Sequence, residues 1–112
     1  MTTGEERKAL NEGTFRDANE RLERGARELV GADDGSVVPF LCECARESCR
    51  QVVLLTLAEY ESVRALQKGG IAALGHEDGE IERVVARNER FLVTEKFGRA
   101  GEVHAETNPR DA

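Results

Sequence analysis

The sequence predicts an α+β domain: a long N-terminal helix followed by a small, mainly antiparallel sheet with one packed helix. Three observations carry this. Apolar residues recur at helical spacing through the first thirty positions, short Val- and Leu-rich runs follow, and a helix-capping pattern separates the second run from the third. Because strands and helices do not strictly alternate, antiparallel pairing is favoured over a doubly wound parallel sheet.

Residues 5–30 read as one amphipathic helix, with Leu10, Phe15, Ala18, Leu22, Ala26 and Leu29 recurring every three to five positions. Gly13 weakens its first third. The apolar stripe is narrow, suited either to packing on the rest of the domain or to self-association. The run GADDGS at 31–36 stops the helix and turns the chain. Residues 37–42 form a first strand, in which Pro39 marks an edge or strand-entry position. Residues 51–56 form a second. Thr56 and Glu59 make a capping box that opens a helix to about residue 67, with Leu57, Tyr60, Val63 and Leu66 inward. Gly69 and Gly70 end it. A brief strand at 71–74 runs into Gly75, His76 and Glu77. Residues 80–87 fit a helical turn or a strand beginning at Val84. Residues 91–96 form a strand, with Asn88 and Glu89 placed to turn a hairpin. The Gly-rich, polar segment 98–112 is expected to be a loose tail. The chain thus divides into a helix and turn (1–36), an α+β core (37–97) and the tail.

Composition narrows the function classes. A chain of 112 residues fits one domain with an adequate but not generous core. Phe15, Phe40, Tyr60, Phe91 and Phe97 are its only aromatic residues, so the core is built from thin aliphatic layers and gains much from a cross-link. The net charge of −6 splits evenly, −3 over residues 1–36 and −3 over 37–112. That balance argues against nucleic-acid or anionic-membrane binding. No apolar run approaches the ~18 residues of a membrane span, and residues 1–7 lead into a charged helix rather than an apolar leader, so a cytoplasmic location is expected.

Cys42, Cys44 and Cys49 are the most informative residues. On an extended strand, positions two apart face the same side, so Cys42 and Cys44 can aim both sulfurs at one centre. The four-residue loop 45–48 is long enough to bring Cys49 back. Three thiolates make a tetrahedral corner, and a structural zinc site then needs one further ligand. His76 is the leading candidate, at the end of a predicted strand after Gly75; His104, in the expected tail, is the rival. Three sulfurs and an imidazole suit zinc, whereas an iron–sulfur cluster ordinarily takes four cysteines. Two plainer readings compete: three buried thiols used only for packing, or a Cys42–Cys49 or Cys44–Cys49 disulfide. An odd cysteine count disfavours a disulfide framework.

Around these residues the chain resembles a group of small, uncharacterised bacterial proteins, mainly actinobacterial. The shared features are Asn11-Glu12, Phe15-Arg16 and Asn19-Glu20 on the first helix, the Phe-Leu-Cys-x-Cys-x4-Cys segment ending at Cys49, and Leu55 through Arg64. They continue with Gly75-His76-Glu77, Glu82 through Val85, Val93 through Lys96, and Pro109-Arg110. The resemblance implies that His76 joins the three cysteines in a Cys3His site, and it carries no activity. Residues 69–74 lack the aromatic residues and proline that the group places before Gly-His.

No glycine-rich phosphate loop, nucleophile elbow or paired-histidine motif is present in the sequence. The pattern therefore points to a zinc-stabilised interaction or regulatory module that binds a protein partner, with self-association through the N-terminal helix as a further reading. Two alternatives stay open. One is a zinc-dependent hydrolase or deaminase-like enzyme with Glu43, Glu47 or Glu77 near the metal as base; the other is a thiol/zinc redox sensor. Arg46, Arg50 and Arg64 are either a small positive patch or partners of nearby glutamates, and Arg83, Arg87 and Arg90 read as a solvated face.

Overall fold

Thr3 and Glu6 exchange backbone-to-side-chain hydrogen bonds of 3.1 Å in both directions and start helix α1 (Gly4–Val30). In this computed structural model, residues 3–30 and 35–111 are described; the expected turn at 31–36 lies mostly outside them. Strands β1 (Val37–Leu41) and β2 (Val52–Thr56) pair antiparallel as a two-stranded ribbon, with Phe40 opposite Val53 and Pro39 opposite Leu54. Leu41 turns its N–H away from β2, onto Asn19, and alternation gives Pro39 the same orientation, where a missing N–H costs no ladder bond. The capping box predicted at Thr56 and Glu59 is present and starts α2 (Leu57–Arg64). Leu57, Tyr60 and Val63 of α2 face inward, but Leu66 lies beyond the helix and is 36 % exposed.

Strands β3 (Gly69–Ala72), β4 (Glu82–Arg87) and β5 (Leu92–Lys96) form a second antiparallel sheet in the order β3-β5-β4. A bulge at Val85 interrupts the β4–β5 register. Asn88 turns this hairpin: its Oδ1 accepts from the backbone of Arg90 and Phe91. The antiparallel strands are thus shared between two small sheets. The inner face of the ribbon, Val38, Phe40, Val53 and Leu55, packs with Tyr60 and Val63 of α2 and with Ile71, Phe91 and Val93 of the second sheet. Phe40 and Tyr60 stack with centroids 4.4 Å apart.

The expected loose tail is instead ordered. Residues Gly98–Glu106 form helix α3, followed by a single 3-10 turn at Pro109–Asp111. Ala100 and Val103 of α3 close on Ala9 of α1 and on Ile81. Gly101 masked the helix by propensity, yet packing demands it: a Cβ there would stand 3.0 Å from the Lys96 carbonyl oxygen.

Of the two uses left open for helix α1, packing on the domain is the one seen: it lies against α3 and β1, and largely through polar residues. Leu10, Leu22 and Leu29 are 46, 43 and 87 % exposed, whereas Glu12, Arg16, Asn19, Glu20 and Glu23 are buried. These polar residues also recur at helical spacing, and each meets a partner. Arg16 donates to the His104 and Thr107 carbonyls, both at 2.7 Å. Glu20 accepts from Tyr60 and pairs with Arg110; burial raises its carboxyl, but Arg110 outweighs that and holds it below the ordinary value. Glu12 and Glu82 flank the Lys96 ammonium at 2.5 and 3.2 Å, all three buried.

Candidate metal centre

Four side chains from two stretches of chain converge where β1 ends. Cys42 still pairs with β2, its N–H donating to the Gln51 carbonyl at 2.9 Å, and Glu43 then bonds across to Ile71 of β3 at 2.8 Å. This extended path places Cys42 and Cys44 on one side, as the spacing predicted, and Glu43 on the other. A turn closed by Cys49 N–H to the Arg46 carbonyl returns the third thiol. Beyond β3, Gly75 adopts a φ of +83°, a conformation that suits glycine, and the His76 N–H closes a turn onto Ala73.

The outcome is a cluster in which the ligand atoms of Cys42, Cys44, Cys49 and His76 all lie within 4.8 Å of one another. His76 Nδ1 is 3.7 Å from both Cys42 Sγ and Cys49 Sγ. Cys42 and Cys44 are buried and Cys49 partly so, and all three are free thiols, without the Cys42–Cys49 or Cys44–Cys49 disulfide of the competing reading. The Ala73 N–H points at Cys42 Sγ from 3.2 Å. Burial pushes the Cys42 thiol up, and the neighbouring sulfurs push it further; Cys44 shifts the same way for the same leading cause. A cation at the centre would offset the charge that thiolates bring to so enclosed a place. These four residues can hold a metal ion.

His104 takes no part in it. It is buried on α3, where its Nε2 donates to the Gly69 carbonyl at 3.1 Å. Burial drives its imidazole down to about 2, and the charges of Lys96 and Arg16 add to this. Nor is Glu43 placed to serve a metal-bound water. Its carboxylate is fully enclosed, bonded through Oε1 to Arg64 at 2.5 Å and to the Ile71 N–H at 3.2 Å, and through Oε2 to Asn19 at 2.7 Å. Glu47 sits exposed on the loop and Glu77 is partly exposed beside His76. Arg64, buried on Glu43, is no part of a surface patch with Arg46 and Arg50; Arg90 pairs with Glu59 and Arg83 with Glu95.

Sequence reasoning named Asn19 on the first helix but gave it no role. Its amide grips both the N–H and the carbonyl of Leu41, at 2.7 and 2.8 Å, and reaches Glu43 as well, so α1 is fastened to the strand that leads into the cysteines. Its partners lie 22 and 24 positions away, out of reach of any local pattern. Replacing Asn19 with Ala leaves a buried carboxylate and a strand edge short of partners, and is expected to cost about 1–3 kcal/mol in denaturant unfolding. A loss of under about 0.5 kcal/mol, the scale of a neutral surface change, would show that these bonds contribute nothing net.

A cleft of about 370 Å3 between α2 and the β4–β5 hairpin, lined by Val63, Leu66, Val85 and Phe91 among others, takes none of the four metal-site residues. No helix among the described residues is long and apolar enough to cross a membrane. Comparison with protein-family models, curated proteins and solved structures finds no match, which leaves the chemistry of the site itself as the guide to its role.

Proposed function

We propose that Cys42, Cys44, Cys49 and His76 bind one zinc ion as a closed structural centre, and that the protein is a small zinc-stabilised module that binds a protein partner. One observation carries this reading: the ligand atoms of three thiols and an imidazole lie within 4.8 Å of one another, close enough to share one ion. Bonds of ~2.3 Å to sulfur and ~2.0 Å to nitrogen at the tetrahedral angle separate sulfur from nitrogen by about 3.5 Å, and His76 Nδ1 stands 3.7 Å from the sulfurs of Cys42 and Cys49. Soft thiolates with a borderline imidazole favour zinc over the hard, oxygen-seeking cations. Four protein ligands complete the coordination, which is the arrangement of structural rather than hydrolytic zinc. Free thiols fit a reducing compartment such as the cytoplasm.

Elemental analysis with native mass measurement, on protein purified without a metal-binding tag, tests the centre. The expected result is one zinc per chain, lost or markedly weakened in His76→Ala. Protein that folds fully without metal would overturn the reading. Zinc held undiminished by His76→Ala would mean that water or a carboxylate completes the site, which is the arrangement an enzyme needs.

A further inference from the structure

The three sulfurs of the cluster are unequal. Cys42 and Cys44, on the extended stretch leaving β1, are 1 and 0 % exposed, whereas Cys49 is only partly buried. Arg46, Glu47, Ser48 and Arg50 around Cys49 all stand exposed. A reagent arriving from solvent therefore meets the Cys49 sulfur first. Because that sulfur is only partly bare, a small, uncharged reagent reaches it more readily than a bulky one.

The backbone divides them as well. Cys42 is held from two sides, by its N–H on the Gln51 carbonyl and by the Ala73 N–H on its Sγ at 3.2 Å. Arg46 instead links Cys44 to Cys49: its N–H serves the Cys44 sulfur and its carbonyl accepts from the Cys49 N–H. The rest of this loop also closes on itself, with the Arg50 guanidinium donating to the Glu47 and Cys49 carbonyls at 2.9 and 2.8 Å. Its contacts with α1 are slight: a 3.4 Å bond from Asn11 to the Ala45 carbonyl, and Arg50 5.9 Å over the Phe15 ring. The loop can thus shift a short way while the strand stays in place. At most about 2.8 Å of travel brings Cys49 Sγ to the ~2.05 Å of a bond with Cys44 Sγ. Cys42 and Cys44 suit each other less. Two positions apart on extended chain, their Cα atoms stand about 6.6 Å apart, at the far end of a disulfide's span.

We propose that Cys44 and Cys49 form a dithiol that reacts with hydroperoxides, and that their oxidation releases the metal. The inference rests on the zinc-centre reading and gives that centre a regulatory role. Cys49, as its thiolate, attacks one oxygen of the peroxide. An S–O bond forms, the O–O bond breaks, and the second oxygen takes a proton and leaves as water or an alcohol. Cys49 is then a sulfenic acid. The Cys44 thiolate attacks its sulfur, forming the S–S bond and expelling hydroxide, which takes the second proton and leaves as water. Two thiolates, one hydroperoxide and two protons thus yield one disulfide, with two electrons passing from the sulfurs to the O–O bond.

Release follows from ligand number. Only Cys42 and His76 remain, one thiolate and one imidazole, where a structural zinc site takes four donors. The change also travels, because Glu43 adjoins Cys44 and bonds Asn19 of α1 and Arg64 of α2.

The test uses the wild-type full chain, its zinc content measured beforehand, treated with a slight excess of hydrogen peroxide. A chromogenic indicator follows free zinc, peptide mass mapping locates the disulfide, and dimedone traps sulfenic acid. The expected result is one zinc freed for each disulfide formed, the disulfide joining Cys44 to Cys49, and dimedone on Cys49 ahead of Cys42 and Cys44. Reductant with added zinc should restore the starting state. Zinc retained under peroxide overturns the proposal, as does a disulfide that includes Cys42, or sulfinic acid formed without any disulfide. The two readings fail separately: a chain that holds one zinc and keeps it under peroxide defeats this inference and spares the metal centre. A folded chain that holds no zinc before treatment defeats the centre, and the release with it.

Discussion

Replacing Cys44 with serine is expected to destabilise the entire domain, and stripping the metal with a chelator should do the same. Cys44 is fully buried, so its loss both removes a proposed ligand and leaves a hydroxyl in an apolar setting. Structural zinc contributes ~10–16 kcal/mol of apparent binding free energy in small peptides, against a total stability of about 5–15 kcal/mol for an ordinary domain. The damage also has a route outward. Glu43 stands between two of the proposed ligands, and its carboxylate ties Asn19 of α1, Arg64 of α2 and the backbone of β3. Amide exchange on Cys44→Ser should therefore show protection lost in α1 and α2 as well as in the cysteine loop. Ser48→Ala, an exposed change in the same loop, serves as the control. Wild-type melting behaviour in Cys44→Ser would refute a structural metal.

The second large effect is expected at Lys96. Its ammonium is the cation between two buried carboxylates, and Lys96→Met leaves Glu12 and Glu82 facing each other without it. Removing one partner of a buried ionic group costs about 3–5 kcal/mol. One lysine balances one carboxylate, so the other is best accommodated as the acid. Burial raises Glu12 from its ordinary 4.5 to about 8; Lys96 opposes the rise and Glu82 reinforces it. The sign of the pH dependence follows. Between about pH 4.5 and 8 the unfolded chain has lost this proton while the folded protein keeps it, so stability falls as pH rises through that window. The decline is on the order of a few kcal/mol, and Glu12→Gln should flatten it. Denaturant unfolding of zinc-saturated protein from pH 5 to 9 checks this. Equal slopes in wild type and Glu12→Gln would remove Glu12 as the cause.

The elements that declare themselves locally were legible. Thr56 and Glu59 announce α2 because a capping box lies within four residues, and Cys42 and Cys44 share a side because strand geometry has a period of two. His76 was reachable because so few other residues could complete three sulfurs. The inward face of α1 was not, since two stripes of this helix share the helical period. The apolar stripe left packing and self-association both open, and the stripe that is buried is Glu12, Arg16, Asn19, Glu20 and Glu23. What decides between them is distant in sequence: Tyr60 lies 40 positions from Glu20, and Arg110 lies 90. Helix α3 was hidden by Gly101, whose low helical propensity gives way to the close approach of the Lys96 backbone.

The polar stripe of α1 also governs which helix the body of the domain will accept. Grease tolerates sliding; a row of hydrogen-bonded ions does not. A slip of one residue would turn Glu12, Arg16, Asn19 and Glu20 by about 100° and strand Lys96, the His104 carbonyl, Leu41 and Tyr60 together. A full turn would carry each of them about 5.4 Å from its mate. Several buried groups losing their partners at once is a far steeper penalty than any mismatch of leucines. The helix therefore works as a notched key with one seat and one depth.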